Sequence, residues 1–497
     1  MMKLITILAL ILLLLIGGIY AFRDSAPTVF HADFVGSEVC GNCHWINYDA
    51  WKISPHHNIA RIPAKDTVVG DFNSGSYYFP QQDPENEENQ PAARMYERQG
   101  DYFMAVRDVN GDSYSEFKID KVIGYQYRQT YLTQEEGGVL RRLPIQWSVP
   151  RQDFFAYWNE QEQSPQSVHD LWEQMKPKNS AWNLYCARCH TTNLQENSKD
   201  QNHTVADVEW TEIGVGCEVC HGPGSQHVQY MDGHPVNRLA SWLDQNLQNK
   251  TAPFIINAAN HDQGFALSVC ARCHGADIFS KRQPLYRNYQ PGYDEHGNLN
   301  DLSPFFAEAP LTPGRNHPTI EVWPDGRPKG LGTLFRSFAD SSHYQATDMR
   351  CYTCHDPHNN KKPASTGLLR PTVQSNAFCM SCHTDIAKEP EAHTKHQEGS
   401  KGSYCYDCHM PRNLLNQVAG VPHFVRSHNM GSIPNPMLTK KMGAENSPNA
   451  CHDCHQDKSH DWAIEQLKLW DMDTHLIDTE LHLQRNATSD SVHADEL

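Results

Sequence analysis

The chain begins with one uninterrupted apolar run, Leu4–Phe22, which is preceded by Lys3. Its length fits the roughly 17–25 residues of a membrane-spanning helix better than the apolar core of about 7–15 residues in a cleaved secretory signal. Ala21 is the one small residue near a cleavage point, and Ile19 fills the −3 position poorly. The pattern therefore favours an uncleaved transmembrane anchor over residues 1–22, with Lys3 inside and the body of the chain exported. Removal of the segment as a signal stays open.

An alternating pattern of strand-forming residues over Tyr102–Trp147 predicts β-strands. Such residues flank Asn110-Gly111, which is a strong hairpin-turn pair. Two further alternating stretches are separated by Gly137-Gly138. We therefore expect residues 66–150 to form a small β insertion.

The rest of the chain shows weaker periodicity. Residues 275–350 are rich in Pro, Gly and Asn and predict irregular loops. Apolar residues within Ala463–Trp470 share one helical face, after a cap at Ser459 or Asp461. We expect a mainly α protein with irregular loops, in which residues 461–497 form a terminal helix and tail.

The composition leaves a thin core for a chain of 497 residues, because the hydrophobic fraction is only 39% and there are 30 Gly and 30 Pro. The many aromatic residues nevertheless argue against disorder. The formal net charge of −17 argues against nucleic acid as a partner, since phosphates require Lys and Arg. Something other than aliphatic side chains is expected to fill part of the interior.

All sixteen cysteines fall in eight copies of the pentapeptide C-x-x-C-H. In chain order, motifs 1 to 8 are Cys40/Cys43/His44, Cys186/Cys189/His190, Cys217/Cys220/His221, Cys270/Cys273/His274, Cys351/Cys354/His355, Cys379/Cys382/His383, Cys405/Cys408/His409 and Cys451/Cys454/His455. Pairs of C-x-x-C also build zinc sites and redox disulfides, but neither requires a histidine after every second cysteine. The pattern is that of c-type haem attachment and predicts eight covalently bound haem c groups.

The spacing has a chemical reason. The two thiols reach the two vinyl groups of one porphyrin as thioethers, and the adjacent histidine then ligates the iron. Assembly of haem c outside the cytoplasm agrees with an exported chain, and porphyrins supply the missing buried apolar surface. We expect residues 23–65 to hold motif 1 and residues 151–460 to form a multihaem cytochrome c domain with motifs 2 to 8.

An electron-carrying, low-spin haem needs a second axial ligand, usually His or Met. Eight of the 29 histidines belong to the motifs, which leaves 21. The best placed of these are His56, His57, His227, His317, His343, His358, His393, His396 and His428, followed by His203, His261 and His460. Met410 directly follows His409 and is expected to face away from the open side of that haem.

Several stretches resemble a family of multihaem c-type cytochromes with doubled C-x-x-C-H motifs. That family is related to the tetrahaem cytochrome of ammonia oxidation and to tetratricopeptide-linked multihaem cytochromes. The similar stretches are "VGSEVCGNCHWINYDAWKISPHH", "LYCARCHTTN", "VGCEVCHGPGSQHV", "CARCH", "CYTCHDPH", "FCMSCH" followed by "EAHTKH", "CYDCHMP" and "SPNACHDCH". The likeness spans about residues 35–470.

The resemblance implies closely packed haems and a particular set of distal ligands. These are His57, His227, His317, His343, His358, His396 and His428. They are seven ligands for eight irons, so either His203 serves the eighth iron or one haem is five-coordinate.

The sequence favours an electron-transfer cytochrome, because histidines suffice for nearly every iron and no acid–base or substrate-binding constellation assigns a catalytic residue. The alternative is a multihaem oxidoreductase with one open iron that acts on a small nitrogen or sulfur compound. The C-x-x-C-K motif of nitrite-reducing relatives is absent. A haem-bearing scaffold, sensor or adhesion module is a third interpretation.

Expected partners are periplasmic or extracellular redox proteins, or quinol-linked membrane donors. We expect the chain to be anchored in the inner membrane and to face the periplasm. If the N-terminal segment is cleaved, a periplasmic or extracellular location follows.

Overall fold

The computed structural model describes residues 2–24, 30–86, 89–157, 165–176, 180–199, 204–248, 250–275, 291–300, 302, 323–325, 327–330, 334–358, 368–416, 423–431 and 435–470. The first helix, α1, spans Met2–Phe22, and its apolar window Ile5–Phe22 is long and hydrophobic enough to cross a membrane. None of that window is buried against the rest of the chain. An N-terminal apolar helix is therefore present, as the sequence predicts for either an anchor or a signal.

Two antiparallel sheets lie between motifs 1 and 2. The larger sheet has the order β1-β6-β7-β9-β10 with β8 paired to β7, and the other sheet has the order β2-β3-β4-β5. The strands are β1 (Ala60–Arg61), β2 (Gly75–Tyr77), β3 (Ala93–Arg98), β4 (Asp101–Arg107), β5 (Tyr114–Lys118), β6 (Lys121–Ile123), β7 (Arg128–Gln134), β8 (Leu140–Arg142), β9 (Ile145–Ser148) and β10 (Asp153–Ala156). The strands thus begin before residue 66 and end after residue 150.

The turn chemistry of this region agrees with the sequence. Asn110-Gly111 connects β4 to β5, in which Arg107 pairs with Tyr114. Gly137-Gly138 connects β7 to β8, and Gly138 has φ of +82°, a conformation that favours glycine. The hairpin predictions are confirmed.

A buried cluster joins the two sheets and includes aromatic and aliphatic side chains from both. Tyr131 and Leu143 are fully buried in it, beside Met104 of the second sheet. A smaller cluster packs Leu132 and Leu140 against Trp182, directly before motif 2. The larger sheet therefore packs against the segment that carries motif 2.

The remaining described structure is made of short elements. The further α-helices are Ser37–Gly41, Trp45–Lys52, Pro55–Asn58, Val168–Gln174, Trp182–Tyr185, Ala187–His190, Cys217–His221, Ser225–Gly233, Pro235–Gln248, Gln263–His274, Leu334–Ala339, Ser342–Ala346, Cys351–Cys354, Ala377–Met380, Pro390–Thr394, Cys405–His409, Pro436–Met442 and His460–Leu469. Single 3₁₀ turns are Ala258–Asn260, Pro371–Gln374, Ile386–Lys388 and Ala450–Asp453. Three two-stranded ribbons pair β11 (Thr191–Thr192) with β14 (Glu212–Ile213), β12 (Gln195–Lys199) with β13 (Ala206–Glu209), and β15 (Arg412–Asn416) with β16 (His423–Arg426).

The fold class needs one correction. The sequence predicted a mainly α protein with a small β insertion, but the sheets are substantial and the helices around the motifs are mostly short. The sequence-based estimate failed because strands that pair over long distances leave weak local patterns. Of the segment 275–350, most lies outside the described residues.

The C-terminal helix agrees with the sequence. It spans His460–Leu469, and the Ser459 hydroxyl accepts a hydrogen bond from the Trp462 N–H, so Ser459 is the cap. Ala463 and Leu467 are buried. The tail beyond residue 470 lies outside the described residues.

Candidate haem sites

Each motif forms approximately one helical turn. In motif 1 the His44 N–H donates to the carbonyl of Cys40 at 2.9 Å, and motifs 5, 6 and 8 make the same bond at 2.9–3.0 Å. Residues three and four apart on a helix lie on one face, so both sulfurs and the histidine of a motif point the same way. All sixteen cysteines are free thiols, and none forms a disulfide. The motifs therefore fit covalent attachment of one porphyrin each.

The cysteines differ in how far the polypeptide covers them. Cys43, Cys382 and Cys454 are exposed, whereas the other thirteen are half-buried. Each of the three is the second cysteine of its motif, and its backbone N–H donates to the carbonyl of the first cysteine at 3.2–3.3 Å. The turn therefore holds these thiols in the attachment geometry, but the polypeptide does not cover them.

The difference in exposure concerns the second cysteine of motifs 1, 6 and 8. The motif sequence is the same in all eight copies, so it cannot show which thiols the surrounding chain covers. At Cys43, Cys382 and Cys454 the polypeptide leaves the thiol exposed. Their thioether bonds to haem stay a prediction from the spacing.

Seven of the eight motif histidines face the ring of a second histidine. The ring centroids are 5.8–6.4 Å apart. The pairs, with the motif histidine first, are His44 with His227, His221 with His358, His274 with His56, His355 with His428, His383 with His343, His409 with His393, and His455 with His396.

This separation fits a metal ion between the rings. An imidazole–metal bond is about 2 Å long and the ring centroid lies about 1 Å beyond the bonding nitrogen, so two axial imidazoles have centroids about 6 Å apart. Two imidazoles in direct hydrogen-bonded or stacked contact lie closer, as His452 and His460 do at 4.4 Å. The seven pairs therefore have the spacing that axial ligation of an iron requires.

Several ligand histidines are oriented by a backbone carbonyl. The Nδ1–H group of His227 donates to Pro253 O at 2.8 Å, and that of His221 donates to Ile256 O at 2.7 Å. His428 and His396 make equivalent bonds, to Arg426 O and Thr394 O. Because a carbonyl only accepts, Nδ1 carries the proton and the lone pair of Nε2 is left for a metal.

Burial keeps these rings neutral. Loss of hydration, together with the charge of the facing motif histidine, lowers the pKa of His56 and of His428 to about 4. Desolvation also lowers the pKa of His227 and His358. A neutral imidazole is the form that ligates a metal, so the electrostatic environment agrees with the geometry.

The structure changes one member of the expected distal set. The sequence expectation was His57, but His56 faces His274, and the ring of His57 packs against Trp51 with centroids 4.4 Å apart. Neighbouring helical residues point about 100° apart, and here the rings of His56 and His57 face different neighbours. Val215 N donates to the His56 carbonyl at 3.0 Å, and this contact orients the segment. We therefore replace His57 by His56 in the proposed ligand set.

The other expectations divide into two groups. His227, His343, His358, His396 and His428 each face a motif histidine, and so does His393, which was among the candidates but not in the set implied by resemblance. His203 and His317 lie outside the described residues. His261 packs on Phe265, and His460 bonds to His452, so neither faces a motif histidine.

Motif 2 differs from the other seven. Among the described residues, no histidine ring is paired with His190, whose nearest aromatic neighbour is Trp182 at 6.0 Å. Its Nδ1 atom is buried with no hydrogen-bond partner there. Desolvation, together with the charge of the nearby Arg128, lowers the pKa of His190 to about 4.

Two arginines from the larger sheet approach motif 2. Arg128 of β7 is half-buried, and its Nη1 atom is buried with no hydrogen-bond partner among the described residues. The guanidinium of Arg142 of β8 lies 3.6 Å from the centroid of the Tyr157 ring, and that of Arg128 lies 5.9 Å from it. Both charges act on Cys186 of motif 2. Sequence analysis missed this cluster, because strand pairing brings it to the motif and no local pattern marks it.

The motifs also approach one another through their cysteine side chains. The thiols that lie near enough to shift each other's pKa most strongly are Cys40 with Cys217, Cys189 with Cys273, Cys270 with Cys351, and Cys379 with Cys405. Further neighbours are Cys220 with Cys270, Cys354 with Cys379, and Cys408 with Cys451. These contacts give the continuous order 1-3-4-5-6-7-8, in which motif 2 branches from motif 4.

Comparison with known proteins agrees with the motif chemistry. A family model described as the doubled CXXCH motif matches residues 343–388, and a model described as cytochrome c554 and c-prime matches residues 147–222. The dissimilatory sulfite reductase MccA of Wolinella succinogenes is 23% identical over 439 residues, covering 79% of this chain and 52% of the relative. The chain thus spans about half the length of this curated relative.

Three solved structures are similar over much of the chain. The outer cell wall cytochrome OcwA has a TM-score of 0.48 at 17% identity, covering 93% of this chain and 92% of its own. The undecaheme cytochrome from the S-layer of Carboxydothermus ferrireducens has a TM-score of 0.39 at 16% identity, covering 88% and 59%. The octaheme sulfite reductase MccA of Wolinella succinogenes, form II, has a TM-score of 0.30 at 17% identity, covering 82% and 59%.

The repeated motifs, their helical-turn geometry and the two family matches lead to one conclusion. Covalent haem c is the cofactor for which these cysteines and histidines are arranged. The chain is a multihaem c-type cytochrome.

Proposed function

We propose that this cytochrome binds eight haem c groups and carries single electrons between a membrane donor and a redox partner outside the cytoplasm. The observation that carries the proposal is the set of seven facing imidazole pairs at 5.8–6.4 Å. Two strong axial ligands fill an iron's coordination sphere and leave no position for a substrate. Haem bound in this way supplies reversible one-electron chemistry.

The spatial order in which the motifs neighbour one another supports the same function. An electron carrier that spans a long chain needs neighbouring redox sites along its whole length. Adjacent motifs in the order 1-3-4-5-6-7-8 touch or lie next to one another through their cysteines. The order differs from the order in the sequence because motif 3 lies between motifs 1 and 4.

The proposed location follows from α1. We infer that α1 stays attached as an anchor in the inner membrane and that the body of the chain faces the periplasm. Its apolar window is unburied, and the body carries the export-dependent haem motifs. The proposed partners are quinol-linked membrane donors on one side and redox proteins on the other.

A second function is favoured by motif 2. Among the described residues, His190 has no facing histidine, and two guanidinium groups and Tyr157 surround the approach to its motif. Positive charge held in a buried site attracts small anions. The related protein from Wolinella succinogenes is named a dissimilatory sulfite reductase. The second proposal is that motif 2 reduces a small oxyanion of sulfur or nitrogen with electrons delivered through motif 4.

One experiment separates the two functions. The full chain adsorbed on an electrode should give reversible currents that integrate to eight electrons. If the chain is only a carrier, adding sulfite or nitrite leaves these currents unchanged. A sustained reductive current with either anion would establish the second function. Substituting Arg142→Gln should then lower that current strongly, whereas Arg151→Gln, at an exposed arginine paired with Asp153, should not.

A further inference from the structure

The helix Pro235–Gln248, here called the surface helix, has apolar side chains on both sides. Its inner side buries Ala240 and Leu243 against the chain. On the outer side, Leu239 and Trp242 are 44% and 57% exposed, although they lie one turn apart on the same face. Exposing a neighbouring tryptophan and leucine to water is unfavourable, so we expect another apolar surface to cover this face.

Hydrogen bonds and an ion pair attach the surface helix to the C-terminal end of α1. The Tyr20 hydroxyl donates to Asp244 at 2.8 Å, and Gln248 donates to that hydroxyl at 2.9 Å. Arg23 forms an ion pair with Asp244 at 3.2 Å. Asn237 also bonds with the backbone and carboxylate of Asp24. The surface helix is therefore fixed where the apolar window of α1 ends.

We propose that the surface helix lies on the lipid surface of the membrane that α1 spans, with Leu239 and Trp242 inserted at the interface. The proposal rests on the retained anchor of the proposed function. Tryptophan and tyrosine are favoured at the membrane–water interface, and Tyr20 stands at the matching end of α1. Arg238 next to the apolar pair is ion-paired with Asp232, so the apolar side chains rather than a free positive charge support insertion.

With the surface helix on the membrane, the motif at the membrane end of the electron-transfer path can be identified. The helix Ser225–Gly233 directly precedes the surface helix and carries His227, which faces His44 of motif 1. Motif 1 is at one end of the spatial order of the motifs, and motif 8 is at the other. Trp45 and Ile46 beside motif 1 are exposed. Motif 1 therefore lies at the membrane side and takes electrons from a membrane donor, and motif 8 delivers them.

The test is photochemical cross-linking to lipid. The full-length holoprotein is reconstituted in liposomes that contain a phospholipid with a diazirine on its acyl chain, and adducts are mapped by mass spectrometry. We expect adducts on α1 and on the surface helix. In the double variant Leu239→Asp and Trp242→Asp, adducts on the surface helix should fall by about tenfold while those on α1 stay, because the charges prevent insertion. The control is Leu469→Asp, at another exposed leucine, which should change neither.

Three outcomes would overturn the proposal. They are adducts on α1 alone, a cross-link between two copies at Trp242 without lipid, and a mature chain that begins near Phe22. A redox titration of the same samples keeps this result separate from the proposed electron transfer. If that titration is normal and the lipid adducts are absent from the surface helix, only the membrane contact fails.

Discussion

His56 and His57 are adjacent in the chain, but their rings have different neighbours. His56 faces His274 of motif 4, whereas His57 packs on Trp51. We predict that His56→Ala converts one haem from low spin to high spin, because it removes one axial ligand. The measurement is the high-spin signal in electron paramagnetic resonance, which should grow by about one haem per chain. His57→Ala is the matched control and should leave the signal unchanged; the reverse result would restore His57 as the ligand.

Glu218, inside motif 3, is a structural rather than a redox residue. Its buried carboxylate accepts hydrogen bonds from the backbone N–H groups of Val35, Gly36 and Gly224 at 2.8–2.9 Å. Glu218→Ala leaves these buried donors without partners, which should lower the free energy of unfolding by about 3 kcal/mol. Thermal unfolding measures this loss. Glu38→Ala, at an exposed glutamate in the helix Ser37–Gly41, should have little effect, and equal effects would refute the role of Glu218.

At the scale of residues, the sequence predicts the covalent sites but only part of the set of facing histidines. The C-x-x-C-H spacing is local, so Cys351 and His355 need no tertiary information. A distal ligand is different, because His227 follows motif 3 and yet faces motif 1. The choice between His56 and His57 depends on a rotation of about 100° about a helix that no sequence pattern records.

At the scale of elements, the β region is held together by packing that does not involve the motifs. Leu143 is fully buried in the cluster that joins the two sheets. Leu143→Ala should destabilise this region by about 2–5 kcal/mol, because it leaves a cavity. Hydrogen exchange of the strand amides measures the change. Val109→Ala, at a hairpin residue that is 47% exposed, is the control, and equal exchange in both variants would contradict the proposed core.

Turns could be predicted better than sheets. Asn110-Gly111 and Gly137-Gly138 marked hairpins correctly, because the turn residues determine the backbone conformation locally. The pairing of β1 with β6 was not predictable, since its residues Ala60 and Ile123 are far apart in the chain. Arg128 lies near motif 2 because its sheet packs on Trp182 through Leu132 and Leu140, a tertiary contact that no local sequence pattern records.

At the scale of the whole molecule, the spatial order of the motifs separates a main electron-transfer path from a side branch. Motif 5 lies on the path between motifs 4 and 6, whereas motif 2 lies beside motif 4, where Cys189 is near Cys273 and the Arg272 carbonyl. We predict that Cys351→Ser with Cys354→Ser strongly slows electron transfer from membrane quinol to a soluble acceptor. The corresponding pair at motif 2, Cys186→Ser with Cys189→Ser, should slow it far less. Stopped-flow absorbance measures both rates, and equal losses would contradict the branched order.

The central claim is that seven irons lie between the seven histidine pairs. Near-infrared magnetic circular dichroism of the oxidised full chain tests it most directly, because the position of its low-spin band identifies the axial ligands and its intensity counts the haems. The account predicts at least seven low-spin haems with two histidine ligands per chain, and at most one haem with an open position. Two or more high-spin haems per chain, or low-spin haems ligated mainly by methionine, would contradict it.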